Sequence, residues 1–277
     1  MNWMKSGNTA IVTGAAGGIG LESAKRFAAA GMNIGLVDMK ADALKESETA
    51  LSGGAGKVAS YICDVSDADA VNALRDRVEG DFGKIHCLMN NAGIGRMGTK
   101  PWEDLEAFHS IISVNLMGVV HGCHAFMPGM LGHGEPAAVI NTGSKQGITR
   151  PPGNYAYNLS KSGVLAYTES IAHALRQEEG SQISAHLLIP AFVYTPMVSA
   201  FIPEKPPFAA TADETVDFMM ASLERGDFYI LCPDPETPRP LDEKRIQWTA
   251  DDIIQNRPAL SRWHPDYEAA FKAFIEG

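Results

Sequence analysis

Short runs of apolar residues alternate along this chain with stretches whose apolar positions recur at helical spacing. The runs are Thr9 to Thr13, NIGLVD ending in Asp38, Lys57 to Cys63, IHCLMNNAG, AAVIN, ISAHLLIP and DFYIL. Between them lie LESAKRFAAAG closed by Gly31, ADAVNALRDRVEGDFG, GVLAYTESIAHAL and ADETVDFMMASLERG. In GVLAYTESIAHAL, residues Val164, Leu165, Thr168, Ile171, Ala172 and Leu175 fall at helical spacing. Strands alternating with helices predict an α/β fold, a doubly wound parallel sheet with helices on both faces and right-handed crossovers.

Three stretches depart from this rhythm. Glu103 to about Leu131 reads as helix, and its second part, IISVNLMGVVHGCHAFMPGML, is apolar on nearly every face. Such a helix is buried on both sides, between its own sheet and something else, such as a second subunit. Asn115 is its polar exception and needs partners when buried. His121 and His124 have no carboxylate or further histidine near them in sequence, so no metal is expected. AFVYTPMVSAFIPEKPPFAAT is long for a connector and is either functional or partly mobile. From Cys232 the character changes. PDPETPRP, with Pro233, Pro235, Pro238 and Pro240, is expected to be neither helix nor central strand. The tail beyond it has two short helical patterns and carries Trp248, Trp263, Tyr267, Phe271 and Phe274, too apolar to be disordered. The expected organisation is a single domain over 1–277, with a core of about 8–231 and a C-terminal extension of about 232–277.

Composition narrows the partners. The 277 residues are 45% hydrophobic and 20% charged, ordinary for a globular protein. A net charge of −10 and a pI near 5.3 argue against nucleic acid or an anionic membrane as partner. Cys63, Cys87, Cys123 and Cys232 form no C-x-x-C and are expected to be reduced and mostly buried, as in a cytoplasmic protein. The N-terminal residues enter a strand at once, so no signal peptide is expected, and no run of about eighteen apolar residues is seen to span a membrane.

Candidate chemistry clusters at the strand ends. After the first run, Thr13-Gly-Ala-Ala-Gly-Gly-Ile-Gly20 opens a helix. Glycines there let the backbone approach a phosphate, and the helix N-terminus supplies N–H groups and a positive dipole end. Asp38 ends the second strand, eighteen residues past Gly20. A carboxylate there accepts hydrogen bonds from adenosine ribose hydroxyls and repels a 2′-phosphate; capping the next helix is a compatible role. Asp64 and Asn90–Gly93 end the third and fourth strands in the same plane. Ser144 follows the fifth and precedes Tyr157 by thirteen residues. Tyr157 and Lys161 sit at i and i+4 on one helix face. A free phenol has a pKa of about 10, and a neighbouring lysine cation is expected to lower it, making the pair a proton donor and acceptor at working pH.

Taken in this order, Thr13–Gly20, Asp38, Asp64, Asn90–Gly93, Asn115, Ser144, Tyr157 and Lys161 resemble the classical short-chain dehydrogenase/reductase family over about residues 8 to 231. Each motif is weak alone, and together they are specific. The resemblance implies a Rossmann-like sheet and a nicotinamide dinucleotide held by Gly14, Gly17, Gly18, Ile19, Gly20, Asp38, Asp64, Val65, Asn91, Ala92, Gly93, Tyr157, Lys161, Pro190, Val193 and Thr195. It implies Tyr157 as the acid/base, Lys161 lowering its pKa and holding the nicotinamide ribose, Ser144 binding the substrate oxygen, and Asn115 helping to hold a water that joins Lys161 to a proton relay. It also implies a homodimer or homotetramer. Ala191 and Gly143 depart from the family's usual glycine and serine, and Ala191 puts the local turn conformation in question.

The expected activity is NAD-dependent transfer of a hydride between the cofactor and a small-molecule secondary alcohol or ketone. An NADPH-dependent 3-oxoacyl reductase and a non-catalytic dinucleotide sensor are the alternatives. Asp38, with Lys40 as the only base near it, stands against the first, and the presence of both Tyr157 and Lys161 against the second. Ile94, Gln146, Ile148, Phe192, Met197, Phe201 and Ile202 are placed to line the substrate pocket, which predicts a largely apolar or aromatic substrate. Arg96, Lys145 and Arg150 are candidate anion-binding residues that more often face water. The aromatic tail either covers the pocket entrance, of its own subunit or a neighbour's, or covers only a side helix.

Overall fold

The computed structural model describes residues 1–54, 56–95 and 100–277. In chain order, β1 (Thr9–Thr13) leads into α1 (Gly18–Ala29), followed by β2 (Asn33–Asp38), α2 (Ala41–Leu51), β3 (Val58–Ile62), α3 (Ala68–Phe82) and β4 (Cys87–Asn90). α4 (Leu105–Ile112) continues through one π-helical turn, Ser113–Met117, into α5 (Gly118–His133). Next come β5 (Ala137–Thr142), the short α6 (Gln146–Thr149), α7 (Tyr155–Gln177) and β6 (Ile183–Ile189). β7 (Val193–Tyr194), α8 (Pro196–Ser199), β8 (Ala210–Thr211), α9 (Ala212–Arg225) and β9 (Tyr229–Leu231) complete the α/β pattern. α10 (Arg239–Ile254) and α11 (Glu268–Glu276) form the tail.

Seven strands make one parallel sheet in the order β3-β2-β1-β4-β5-β6-β9. The order reverses between β1 and β4, which opens a crevice at the carboxyl ends of these two strands. The strands are readable as near-continuous apolar runs because both faces are covered. Ile11 of β1 faces a cluster with Val78 of α3, Phe126 of α5 and Val164 of α7. Its neighbours Ala10 and Val12 face Phe27 of α1, Leu44 of α2 and Met219 of α9. Side chains therefore alternate between two cores, as a strand's period of two requires.

Helix limits follow local chemistry. Thr211 and Glu214 form a capping box at the start of α9, and Gly226, at φ +77°, ends it in a left-handed turn that a side chain would strain. The proline-rich segment corrects an expectation. α10 begins inside it, with Pro238 as N-cap and Pro240 in the first turn, where a missing N–H leaves no helical bond unmade. The long connector is structured as well: β7 pairs with β8, and the Phe192 and Phe208 rings lie 5.3 Å apart.

A second correction concerns apolar length. The continuous helix Leu105–His133 contains a window of mean hydropathy 1.3, apolar enough to cross a membrane by length and composition. One face of it lies in the core. Ile111, Val119, Cys123, Phe126 and Met130 are buried, and 44% of the window is inside the protein. Its outer face is mixed rather than apolar all round, with His124 exposed and Met117 partly so.

The tail has a small core of its own. Trp248 packs edge-on against Phe271, with Phe274 at 5.3 Å and the Arg257 guanidinium 3.9 Å over its indole. Its indole N–H donates to Ser261 Oγ at 2.8 Å. Ile246 anchors this unit on the main core, and α10 lies against α6.

Candidate active site

At the carboxyl ends of the sheet lies a cavity of about 680 Å³. One wall is the glycine turn after β1. Gly14 is at φ +67°, and a Cβ there would come 2.9 Å from the Ala92 Cα. A Cβ on Gly20 would come 2.2 Å from the Gly14 carbonyl oxygen, and Gly17 and Gly18 lie directly under Pro196 and Thr195. Side chains at these positions would fill or break the turn. α1 has no side-chain cap, so its first-turn N–H groups remain available to a phosphate. Asp38 is fixed to the turn: its Oδ2 accepts from Ala16 N and its Oδ1 from Lys40 N, each at 3.1 Å. The carboxylate thus organises both the turn and the entry to α2. This wall fits a nicotinamide dinucleotide, with glycines where a pyrophosphate needs close backbone approach and an acid at the ribose end.

The strand ends are tied by amides. Asn91 N donates to Thr13 Oγ1 at 2.9 Å, its Nδ2 donates to Thr13 O at 3.1 Å, and its Oδ1 accepts from Thr142 Oγ1 at 3.3 Å. Three adjacent strands are pinned at one level. Beneath them Asn90 Nδ2 donates to Asn141 Oδ1 at 2.9 Å, and Asn141 Nδ2 donates to Thr168 Oγ1 at 3.0 Å, carrying the network into α7. Asn115 is wholly buried in the π turn. Its Oδ1 accepts from Ile94 N at 2.7 Å, and its Nδ2 donates to Ile94 O at 2.8 Å and to Ser160 Oγ at 3.4 Å. The side chain is therefore fully paired with protein, and its role is to hold the loop after β4 against α7.

Ser144, Tyr157 and Lys161 line the opposite wall. Lys161 Nζ donates to Thr142 O at 2.8 Å and lies 5.7 Å from the centre of the Tyr157 ring. Burial lowers the Lys161 pKa to about 8. Burial also pushes the Tyr157 phenol up, and the Ser144 hydroxyl, as a hydrogen-bond partner, opposes this only in part. The lowering expected from the neighbouring Lys161 is therefore not seen in the chain alone, where burial raises the phenol. Ser144 Oγ accepts from Gln146 N at 3.2 Å, which orients the hydroxyl. Gly147 lets α6 lie on α7: a Cβ there would come 2.6 Å from the Lys161 carbonyl carbon. Tyr155, two residues earlier, points elsewhere. Its hydroxyl donates to Glu103 O at 2.9 Å, and its ring stacks on Phe108.

Of the other predicted site residues, Gly14, Gly17, Gly18, Ile19, Asp38, Asp64, Val65, Asn91, Ala92, Gly93, Pro190, Val193 and Thr195 all border the cavity. So do Ile94, Gln146, Phe192, Met197, Phe201 and Ile202. Gly20 and Asn115 do not, being buried behind it. Ile148 does not line it either; its side chain packs into the main core because α6 turns that face towards α7. Lys145 borders the cavity, but its ammonium is paired with Asp234 at 3.3 Å and Asp242 at 2.6 Å, so it is no free anion site. Arg150 caps α6 with a left-handed backbone, φ +51°, and lies off the cavity. Arg96 lies outside the described residues. Ala191 makes its turn without a positive φ. No tail residue is among those lining the cavity, so within its own subunit the described tail covers a side helix and not the entrance. Sequence reasoning missed Val114 and Asn154 as lining residues. Asn154 stands just before α7, where a helix-start reading points to it; nothing local marks Val114, which lies in the π turn.

Comparison with known proteins agrees with this geometry. Residues 8–206 match the family described as short chain dehydrogenase. A 1-deoxy-11-beta-hydroxypentalenate dehydrogenase of Streptomyces avermitilis is 32% identical over 80% of this chain and 83% of its own. A 2-(R)-hydroxypropyl-CoM dehydrogenase of Xanthobacter autotrophicus is 36% identical over 68% of this chain and 75% of its own. The crystal structure of a short-chain dehydrogenase/reductase from Burkholderia phymatum in complex with NAD superposes with a TM-score of 0.82 at 30% identity, covering 93% of this chain and 97% of that one. With the sheet order, the glycine turn and the Ser144, Tyr157 and Lys161 wall in place, this chain belongs to the short-chain dehydrogenase/reductase family, oxidoreductases that act on alcohols or ketones with a nicotinamide cofactor.

Proposed function

We propose that the protein is an NAD-dependent dehydrogenase of a secondary alcohol, or a reductase of the corresponding ketone, with a largely apolar or aromatic substrate. One observation carries this reading: a single cavity is bordered by Ser144, Tyr157 and Lys161 on one side and by a glycine turn fixed to Asp38 on the other. The cofactor, when bound, supplies the hydride acceptor or donor. Tyr157 takes the hydroxyl proton in oxidation and returns one to the forming alkoxide in reduction. Ser144 accepts from or donates to the same substrate oxygen and so orients it. Lys161, cationic below about pH 8, stabilises the phenolate. Burial raises the Tyr157 phenol in the chain alone, which makes the nearby Lys161 cation the group that would favour its ionised form.

Asp38 supports NAD over NADP, since a 2′-phosphate beside it is a like-charge contact. Lys40 borders the same end of the cavity and favours the runner-up, an NADPH-dependent 3-oxoacyl reductase. Ile94, Phe192, Met197 and Phe201 on the substrate side support an apolar ligand. All four cysteines are unpaired and buried, which supports a cytoplasmic setting. We read the working form as a homodimer or homotetramer paired through the outer faces of α5 and α7. A panel of alcohols and ketones with NAD⁺, NADH and their phosphorylated forms, followed by absorbance of the reduced cofactor, tests the reading. Preference for the phosphorylated forms contradicts the NAD assignment, and no turnover with any substrate contradicts the enzyme assignment.

A further inference from the structure

α6 begins at Gln146 and directly follows the wall residues Ser144 and Lys145, yet it is only four residues long. A single helical turn has no stability of its own in water, so neighbouring elements must hold it. On one side α7 does so. Gly147 lies against the Lys161 backbone, and Ser162 Oγ donates to Gly147 O at 2.6 Å. On the other side α10 of the C-terminal extension lies against α6 and is joined to the residue before it by an ion pair. Lys145 Nζ lies 2.6 Å from Asp242 Oδ2, in the first turn of α10, and 3.3 Å from Asp234 Oδ2, in the turn before it. All three side chains are largely buried, at 15%, 6% and 11% exposure for Lys145, Asp242 and Asp234. The Lys145 backbone is at the same time a junction. Its N–H donates to Pro190 O at 3.2 Å, and its carbonyl accepts from Ile148 N and Thr149 N, each at 3.0 Å.

We propose that Lys145 is a positioning residue, and that Asp234 and Asp242 of the C-terminal extension, acting through it, set the placement of Ser144 and Gln146 against the substrate. The extension then serves the site from behind the wall and not as a cover over the entrance. Removing the Asp242 charge leaves Lys145 held by Asp234 alone, at 3.3 Å, and loses the shorter contact to α10, so the wall is expected to shift or loosen. The effect on catalysis rests on the dehydrogenase reading above; the effect on the wall does not.

The test uses the full-length protein with Asp242→Asn and, as a control, Asp252→Asn. The control disturbs the tail's own core, where Asp252 pairs with Arg257 at 3.0 Å and holds Ser261, without touching Lys145. Amide hydrogen exchange at residues 148–150, kcat, and the Kd for NADH by fluorescence are measured on each. For Asp242→Asn, exchange at 148–150 should quicken roughly tenfold as the wall opens locally. Its kcat should fall roughly tenfold, from misplacement of the groups that hold the substrate, at unchanged NADH Kd. Asp252→Asn should lower the melting temperature without either change. If exchange or kcat is unchanged in Asp242→Asn, or if Asp252→Asn reproduces both effects, the proposal is overturned. Should Asp242→Asn not fold, Asp234→Asn is measured by the same criteria. A wild-type protein without any turnover refutes the dehydrogenase reading, while the exchange comparison still decides whether the tail holds the wall.

Discussion

Lys161 Nζ donates a 2.8 Å hydrogen bond to the carbonyl oxygen of Thr142, the last residue of β5, although the lysine is only 4% exposed. The ammonium is held where the site needs it, at a cost in solvation. Burial lowers its pKa to about 8, from an ordinary 10.5. Below pH 8 the native state must keep a buried cation that the unfolded chain solvates freely. Between about 8 and 10.5 the unfolded chain binds a proton that the native state lacks, so stability from this group rises with pH.

Lys161→Met removes that burden. The variant should lose nearly all turnover yet melt at or above the wild-type temperature at pH 7. Because only the wild type gains stability from this group as pH rises, the difference should move in favour of the wild type between pH 7 and pH 10. Calorimetric scans of both proteins across that range provide the check. A difference independent of pH would mean that Lys161 is not buried as a cation.

Cofactor choice should follow Asp38. A carboxylate beside a phosphate in a partly desolvated site is repulsive by roughly 2–4 kcal/mol, so kcat/KM should favour NAD over NADP by about thirtyfold to a thousandfold. Asp38→Ala should narrow the gap. It should also weaken NAD somewhat, since the hydrogen bonds from Ala16 N and Lys40 N that shape the turn are lost. Steady-state kinetics with both cofactors measure this, and equal values for the wild type refute the role.

Two glycines of one helix should respond oppositely to alanine. A Cβ at Gly122 would come 2.2 Å from Asn90 Oδ1, inside the Asn90–Asn141–Thr168 network, whereas one at Gly132 meets nothing within 4 Å. Gly122→Ala should destabilise by about 2–4 kcal/mol through overpacking and loss of buried hydrogen bonds. Gly132→Ala should be neutral or gain up to about 1 kcal/mol in helix propensity. Urea denaturation of the two variants measures both.

Much of this architecture was legible in the chain because its parallel strands are buried on both faces. NIGLVD and AAVIN read as strands from composition alone and are β2 and most of β5. The pairing of Tyr157 with Lys161 was legible because helical spacing fixes which side chains share a face, and Ser144 because it follows a buried strand. What stayed hidden depends on long-range contact or on a small backbone change. The π turn at Ser113–Met117 leaves the helical pattern almost intact, and Val114 within it borders the cavity. The pairing of Lys145 with Asp242 joins residues almost a hundred apart, and no local pattern announces it. The rise in the Tyr157 pKa comes from burial, which i, i+4 spacing does not report. Pro240 was read as a helix breaker because its place within the first turn is visible only once the helix start is known.

The central claim is that Tyr157 is the proton donor and acceptor of a dehydrogenase, and two neighbouring phenols allow a direct test. Tyr157 borders the cavity beside Lys161, whereas the Tyr155 hydroxyl is bonded to the Glu103 carbonyl and its ring lies on Phe108. Tyr157→Phe and Tyr155→Phe should be compared with the wild type for kcat of NAD-linked alcohol oxidation and for NADH binding. The account predicts at least a hundredfold loss of kcat for Tyr157→Phe with NADH affinity retained, and a mild effect for Tyr155→Phe. Substantial turnover by Tyr157→Phe, or a larger loss for Tyr155→Phe, would contradict it.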